Sequence, residues 1–240
     1  VKAQRLGGAT EEQSATFSYP IKYQYTPLFN TQSGFATFLI PAVLMLIIQQ
    51  TMLLGVAMLQ GDERERRRKG ITDNHMREKR PLEILIGKAG VYLNVYIVIT
   101  LYLVCIVPIL FNLVHIWQWQ DLFAFLFPFI LACVFFTIFL ASMAYDRETY
   151  IVLFVFLSIP LLFLSGISWP ASSIPAVWKY FSYIFPSTFG INGYVRISEM
   201  GALLKDVKFE FIGLWIQAIV YFFLAWISYR KVYRRRIEKK

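Results

Sequence analysis

Histidine and cysteine are nearly absent from this chain: two of each occur in 240 residues, His75 and His115, Cys105 and Cys133. Charge is scarce too, at 16% Asp, Glu, Lys and Arg, against about 25% in soluble domains. The phosphate-cradling pattern G-x-x-x-x-G-K-[ST] is missing: Gly87-Lys88 is followed by Ala89, and Leu82 stands where the first glycine belongs. G-x-G-x-x-G, H-E-x-x-H and a G-x-S-x-G around Ser165 or Ser168 are missing as well. An intramembrane enzyme would need a nucleophile with its base, or a metal set, and no candidate for either stands out. The sequence therefore assigns no catalytic residue, no metal ligand and no cofactor to this chain. If nucleotide energy drives it, another chain binds the nucleotide.

What is abundant is apolar and aromatic surface, 57% and 18% of residues. A soluble fold of this size could not cover that much of it. Several runs reach the roughly 20 residues that cross a bilayer. The fold class expected is an all-α polytopic membrane protein with five transmembrane helices in this chain: 35–59, 89–113, 122–145, a span opening at 150–164, and 209–229. Cys105 and Cys133 fall inside these runs and read as lipid- or core-facing thiols, neither a disulfide nor a metal pair. Trp117 and Trp119, in HIWQWQD, suit an interfacial belt.

Basic residues orient the spans. The loop from Gly61 to Lys88 carries nine Lys and Arg, the turn Asp146-Arg147-Glu148 one, and the tail from Arg230 seven, so seventeen lie on one face and seven on the other. The richer face is cytoplasmic by the positive-inside rule. The C-terminus is then cytoplasmic and the N-terminal segment extracytoplasmic. The net charge of +9 reads as topology and attraction to anionic lipid headgroups, not as nucleic-acid binding. His75 and His115 fall on opposite sides and cannot share a metal.

The spans hold essentially no ionisable residue, which argues against a proton-coupled carrier or an acidic-ring channel. Their polar residues are Gln49 and Gln50, Asn94 and Gln217. One reading is interhelical hydrogen bonding; the other has Gln49 or Gln50 facing a central pathway at a dimer seam. The stretch 165–201 has Pro170, Pro175 and Pro186 and four glycines, too broken for one helix. It also holds Trp169, Ile174, Val177, Trp178, Phe181, Ile184 and Phe185, too apolar for a wet loop. A re-entrant pair of short helices before the last span fits better than an interfacial helix lying on the bilayer. In the cytoplasmic loop, Arg80-Pro81-Leu82-Glu83 reads as a helix start. Leu82, Leu85, Ile86 and Ala89 share one face of it, and Gly87 and Gly90 allow a bend before the next span. Such a helix either meets a partner or rests on the membrane surface.

Phe17, Tyr19, Ile21, Tyr23 and Tyr25 alternate with Ser18, Pro20, Lys22 and Gln24, a strand pattern. A lone strand is unstable, so 1–33 is expected to end an extracytoplasmic domain, with 34–240 the transmembrane domain. VKAQRLGGATEEQS lacks the apolar core of a signal peptide. Chain upstream of Val1, with a sixth span, is expected.

The order of these parts resembles the permease subunit of the type-2 ABC exporter family, in its multidrug-type branch with a large extracytoplasmic domain. PLFNTQSGFATFLIPAVLMLIIQQTMLLG (Pro27 to Gly55), Glu63-Arg64-Glu65-Arg66 followed by Arg80 to Lys88, LSGISWPASSIPAVWKYFSYIFPSTFGINGYVRI (Leu164 to Ile197) and the basic tail carry the resemblance. It implies a six-helix half-transporter in a bacterial inner membrane, paired with a copy of itself or a sister permease. Two ATP-binding subunits would hold ATP and Mg, and a periplasmic adaptor is a further partner. A coupling helix at about 77–88 would seat in the ATPase, within a coupling loop at 60–88, with Glu63, Glu65, Arg80, Leu82, Glu83 and Lys88 as partner-binding residues. RRRKGITDNHM, interposed after Glu63-Arg64-Glu65, leaves open whether Glu63 and Glu65 or Glu83 meets that subunit. The 165–201 segment would be the extracellular gate, with Gln49, Gln50, Asn94, Trp169, Pro170, Phe185 and Pro186 as pathway or gate residues. A non-transporting membrane anchor and a polysaccharide-type exporter permease are the alternatives. The strand at 17–25 argues against the polysaccharide branch.

Overall fold

The computed structural model describes residues 35–69, 80–111, 113, 116–143, 152, 156, 159–165 and 174–237. The chain divides into two compact units, 1–33 and 34–240, and every described residue belongs to the second. The expected strand at 17–25, both histidines, the 146–148 turn, Trp169 and Pro170 lie outside the described residues.

Seven α-helices follow one another among the described residues: α1 Phe35–Arg68, α2 Pro81–Leu101, α3 Val107–Leu110, α4 Trp119–Met143, α5 Ala176–Ser182, α6 Pro186–Met200 and α7 Lys208–Ile237. No strand occurs among them. A π-helical turn, Tyr102–Ile106, joins α2 to α3. Pro108 stands just after it; lacking an amide hydrogen, it cannot donate back to residue 104, and the wider turn absorbs the break. Four stretches are long and apolar enough to cross a membrane: Leu39–Arg66, Pro81–Leu110, Trp119–Met143 and Leu204–Lys231. The fifth expected span, opening at 150–164, falls mostly outside the described residues, and where it is described it is helical.

Two boundaries differ from the sequence expectation. The helix α1 continues past Leu59 to Arg68. Its 34 residues extend about 51 Å at 1.5 Å per residue, some 20 Å beyond a hydrocarbon core of about 30 Å. Pairs at i,i+4, Asp62–Arg66 and Glu65–Lys69, both at 2.8 Å, support the overhang. The coupling segment and the second span form one continuous helix from Pro81, which runs through Gly87 and Gly90. A mid-helix glycine costs only about 1 kcal/mol, whereas opening the backbone at the membrane would leave amide groups unpaired at greater cost.

Burial separates inner from outer helices. In α1 and α4, 61% and 67% of the apolar window is buried; in the 81–110 stretch and the 204–231 stretch the shares are 22% and 28%. Thus α1 and α4 make the centre, and α2 and α7 flank them with exposed Val91, Val95, Val98, Ile212, Ile216 and Ile219. The helix α6 packs into the same core through small residues. A Cβ at Gly193 would lie 2.1 Å from Phe125 Cζ, and one at Gly190 would lie 2.3 Å from Phe129 Cε2. Both glycines let α6 approach α4 closely, as small residues do in membrane helix pairs. Gly201, at φ +64°, ends α6, with its own amide and that of Ala202 directed at the Arg196 carbonyl. Cys105, partly exposed in the π turn, and Cys133, buried in α4, are free thiols.

Candidate functional site

Two clusters of polar contacts stand out, one toward the C-terminal end of α1 and one about the middle of α1 and α4. The first gathers on the overhang of α1. Glu63 accepts a hydrogen bond from Lys88 Nζ at 2.5 Å, tying α1 to the second turn of α2. The Lys88 side chain is 12% exposed and that of Glu63 33%, so this pair is far better shielded than a surface ion pair. The same ammonium lies 5.9 Å from the Tyr229 ring of α7, a cation–π distance. Next to Glu63, Arg64 turns the other way: its Nη2 donates to the carbonyls of Ala141 and Ser142, each at 2.9 Å. These carbonyls lie in the last described turn of α4, where the negative end of a helix attracts a cation. Neighbouring residues of α1 thus hold α2 and α4 together.

The first turn of α2 has two faces. Arg80 is extended, Pro81 occupies the first helical position and Glu83 the first turn. Leu85 and Ala89 face inward and are buried; Arg80, Leu82, Glu83 and Ile86 are exposed. The apolar face read from the sequence therefore splits: Leu85 and Ala89 pack, while Leu82 and Ile86 remain outside. Of the expected partner-binding residues, Glu63 and Lys88 are brought together, Glu65 is paired with Lys69, and Arg80, Leu82 and Glu83 form the open face.

The second cluster holds the elbow between α5 and α6. The first amides of α6 need acceptors, and its N-cap residue Phe185 supplies no side-chain cap. Gln49 Oε1 of α1 fills the gap, accepting from the Ser187 amide at 2.5 Å. The carbonyls ending α5 are served from α7: Gln217 Nε2 donates to Tyr183 O at 2.7 Å, and the Tyr221 hydroxyl donates to Ile184 O. Thr188 Oγ1 closes the elbow by donating to Ser182 O at 2.7 Å. Phe185 is buried with its ring edge-on to Phe136, 5.7 Å between centroids, and Pro186 is buried at the first position of α6. Gln50 is buried, and neither of its amide atoms has a hydrogen-bond partner among the described residues. Asn94 is exposed on α2 and donates to Gly90 O of its own helix at 2.8 Å. The structure thus joins Gln49 to the elbow that holds Phe185 and Pro186, and does not bring Asn94 to it.

The contacts of three contributors were not read from sequence. Arg64 and Tyr221 bind main-chain carbonyls, which carry no residue signature. Glu199 in α6 is 8% exposed, with Oε1 lacking a partner among the described residues. Burial raises its pKa from 4.5 to about 7. The nearby Arg196 is engaged with Glu210 Oε1 and Asp206 O, both at 3.1 Å. An acid whose pKa is raised by folding holds its proton longer in the folded state, so stability falls as pH rises from about 4.5 to about 7. Replacing Glu199 with Gln is expected to raise the melting temperature at pH 8 and leave it nearly unchanged at pH 4. Thermal unfolding of the detergent-solubilised pair at both pH values checks this.

Four stretches able to cross a membrane, tied together by a charged node and a helical elbow, define a polytopic membrane protein. Residues 2–227 match the model of the ABC-2 family transporter protein, and the chain belongs to that family. No curated protein and no solved structure matches the chain. The chain is thus a multi-pass plasma-membrane transport component of the ABC-2 type, and membership implies pairing with an ATP-binding subunit.

Proposed function

We propose that this permease serves an ATP-driven exporter, moving its substrate out of the cytoplasm or the inner leaflet. ATP and Mg are held by the separate subunit, and the permease works as a homodimer or beside a sister permease. The observation that carries this reading is the two-faced start of α2. Arg80, Leu82, Glu83 and Ile86 are open to a partner, while Lys88, less than two turns on, is bonded to Glu63 within the bundle. A docking face backed by a shielded internal ion pair is suited to receive force and pass it on. Between Glu83 and the Glu63/Glu65 pair, this arrangement favours Glu83 as the carboxylate that meets the ATPase.

The basic face at 61–88 and the tail from Arg230 lie in the cytoplasm beside anionic headgroups, and residues 1–33 lie outside. ATP binding closes the ATPase dimer, and the differential affinity of the two states shifts the population toward the outward-open form. The elbow held by Gln49, Gln217 and Tyr221 belongs to the outer gate, which includes Phe185, Pro186, Trp169 and Pro170. Gln50 and Asn94 are polar groups available along the pathway. A periplasmic adaptor encoded alongside would point to drug or lipid-like cargo.

Co-purification tests the reading against that of a non-transporting anchor. Solubilised permease is expected to bring down an ATP-binding subunit in fixed stoichiometry and to hydrolyse ATP in nanodiscs. Permease that retains its fold but brings down no such subunit would contradict it.

A further inference from the structure

Force delivered at the start of α2 must reach the elbow between α5 and α6, deeper in the bundle, and two routes are visible. One is α1 itself, whose Gln49 contacts the Ser187 amide. The other leaves α1 sideways through Arg64. Its guanidinium holds the Ala141 and Ser142 carbonyls, at the end of α4, beside the Glu63 that holds Lys88. The helix α4 has the largest buried share of the four crossing stretches, 67% of its apolar window. From Phe129 to Met143 it contains no proline, so this stretch can move as one piece. At the other end of this stretch, the Phe129 ring lies against Gly190 of α6, with no room for a Cβ at that glycine. A shift of α4 cannot be absorbed there by slack; it must carry α6 along.

We infer that α4 transmits motion from the coupling node to the elbow, and that Arg64 is the positioning residue that engages it. This rests on the reading of α2 as the docking element. A guanidinium suits the role because it presents several donors in a fixed plane and meets two successive carbonyls at once. A lysine ammonium would hold them more loosely.

The test uses the permease with its ATP-binding subunit in nanodiscs. A bimane fluorophore is attached at Tyr180→Cys, on the exposed side of α5, with Cys105→Ala to remove the partly exposed thiol. Trapping with ATP, Mg and vanadate is expected to change the label's emission in the otherwise native complex. In Arg64→Ala the subunit still co-purifies and vanadate still traps, but the emission change falls by roughly 2- to 30-fold, as for residues that carry coupling between distant sites. Arg64→Lys gives an intermediate response. A native-size change in Arg64→Ala would overturn the inference and leave α1 as the route. Loss of the subunit from Arg64→Ala would also overturn it, by placing Arg64 in the docking face. Should Arg64→Ala fail to fold, Arg64→Lys decides between the same outcomes. Absence of any ATP-binding subunit from the native complex would instead count against the exporter reading.

Discussion

Reversing the charge of Glu63 to Lys is expected to abolish nucleotide-driven transport while leaving the protein in the membrane. Lys88 is 12% exposed and 2.5 Å from Glu63, and it loses its counter-ion and gains a like charge. Breaking a buried pair from one side costs roughly 3–5 kcal/mol; with Glu63 33% exposed, about 3 kcal/mol is the reasonable end of that range. At about 1.4 kcal/mol per decade, that is a loss of roughly a hundred-fold in the population of the engaged state. Lys88→Glu should do the same. The exchanged pair, Glu63→Lys with Lys88→Glu, restores opposite charges across the gap and should recover most of the activity. Its recovery is limited by the Tyr229 ring, which favours a cation and not a carboxylate nearby. ATP hydrolysis and vesicle transport by the three variants check the set. Exchange without recovery would show that each residue meets something other than its partner.

Gly193→Leu is expected to prevent the hairpin from seating at all. The first side-chain carbon would already lie 2.1 Å from Phe125 Cζ, and leucine adds three more. Overpacking a tight core costs about 1–3 kcal/mol and occasionally more. Here the fixed neighbour is the body of a fully buried phenylalanine ring, so the upper end applies. Fluorescence-detected size exclusion should show loss of the folded peak. Phe125→Ala alone should cost about 3–5 kcal/mol through its cavity, yet in combination with Gly193→Leu it should recover part of the peak, because the added side chain fills the space removed. Failure of both single variants and of the pair to differ would contradict close packing at this crossing.

The parts of this fold that were legible in the sequence are those written in local chemistry. Pro81 and Pro175 mark helix starts, and helices begin there. The apolar runs give the crossing helices, and the breaks at Pro175 and Pro186 give two helices in place of one. What could not be read is which distant atom each polar side chain finds. Arg64 meets carbonyls 77 and 78 residues on, and Gln49 meets an amide 138 residues on. Backbone donors and acceptors are the same at every residue, so no composition or spacing points to them. Which apolar residues of α2 face inward could not be read for a related reason. Leu82 and Leu85 are alike in hydropathy, and only the position of α1 and its neighbours decides that one is exposed and the other buried. Glu199 escaped because a search of the crossing spans for charge passes over the helix between them.

The most direct measurement is ATP turnover set against transport for Glu83→Arg in the reconstituted complex. Glu83 is exposed at the first turn of α2 and lies outside the internal Glu63–Lys88 pair, so its replacement should leave membrane insertion and the bundle intact. The expected result is ATP hydrolysis that no longer responds to substrate and export that falls to background. Substrate-stimulated hydrolysis and export both at the native level would contradict the assignment of this turn as the place where the ATPase acts.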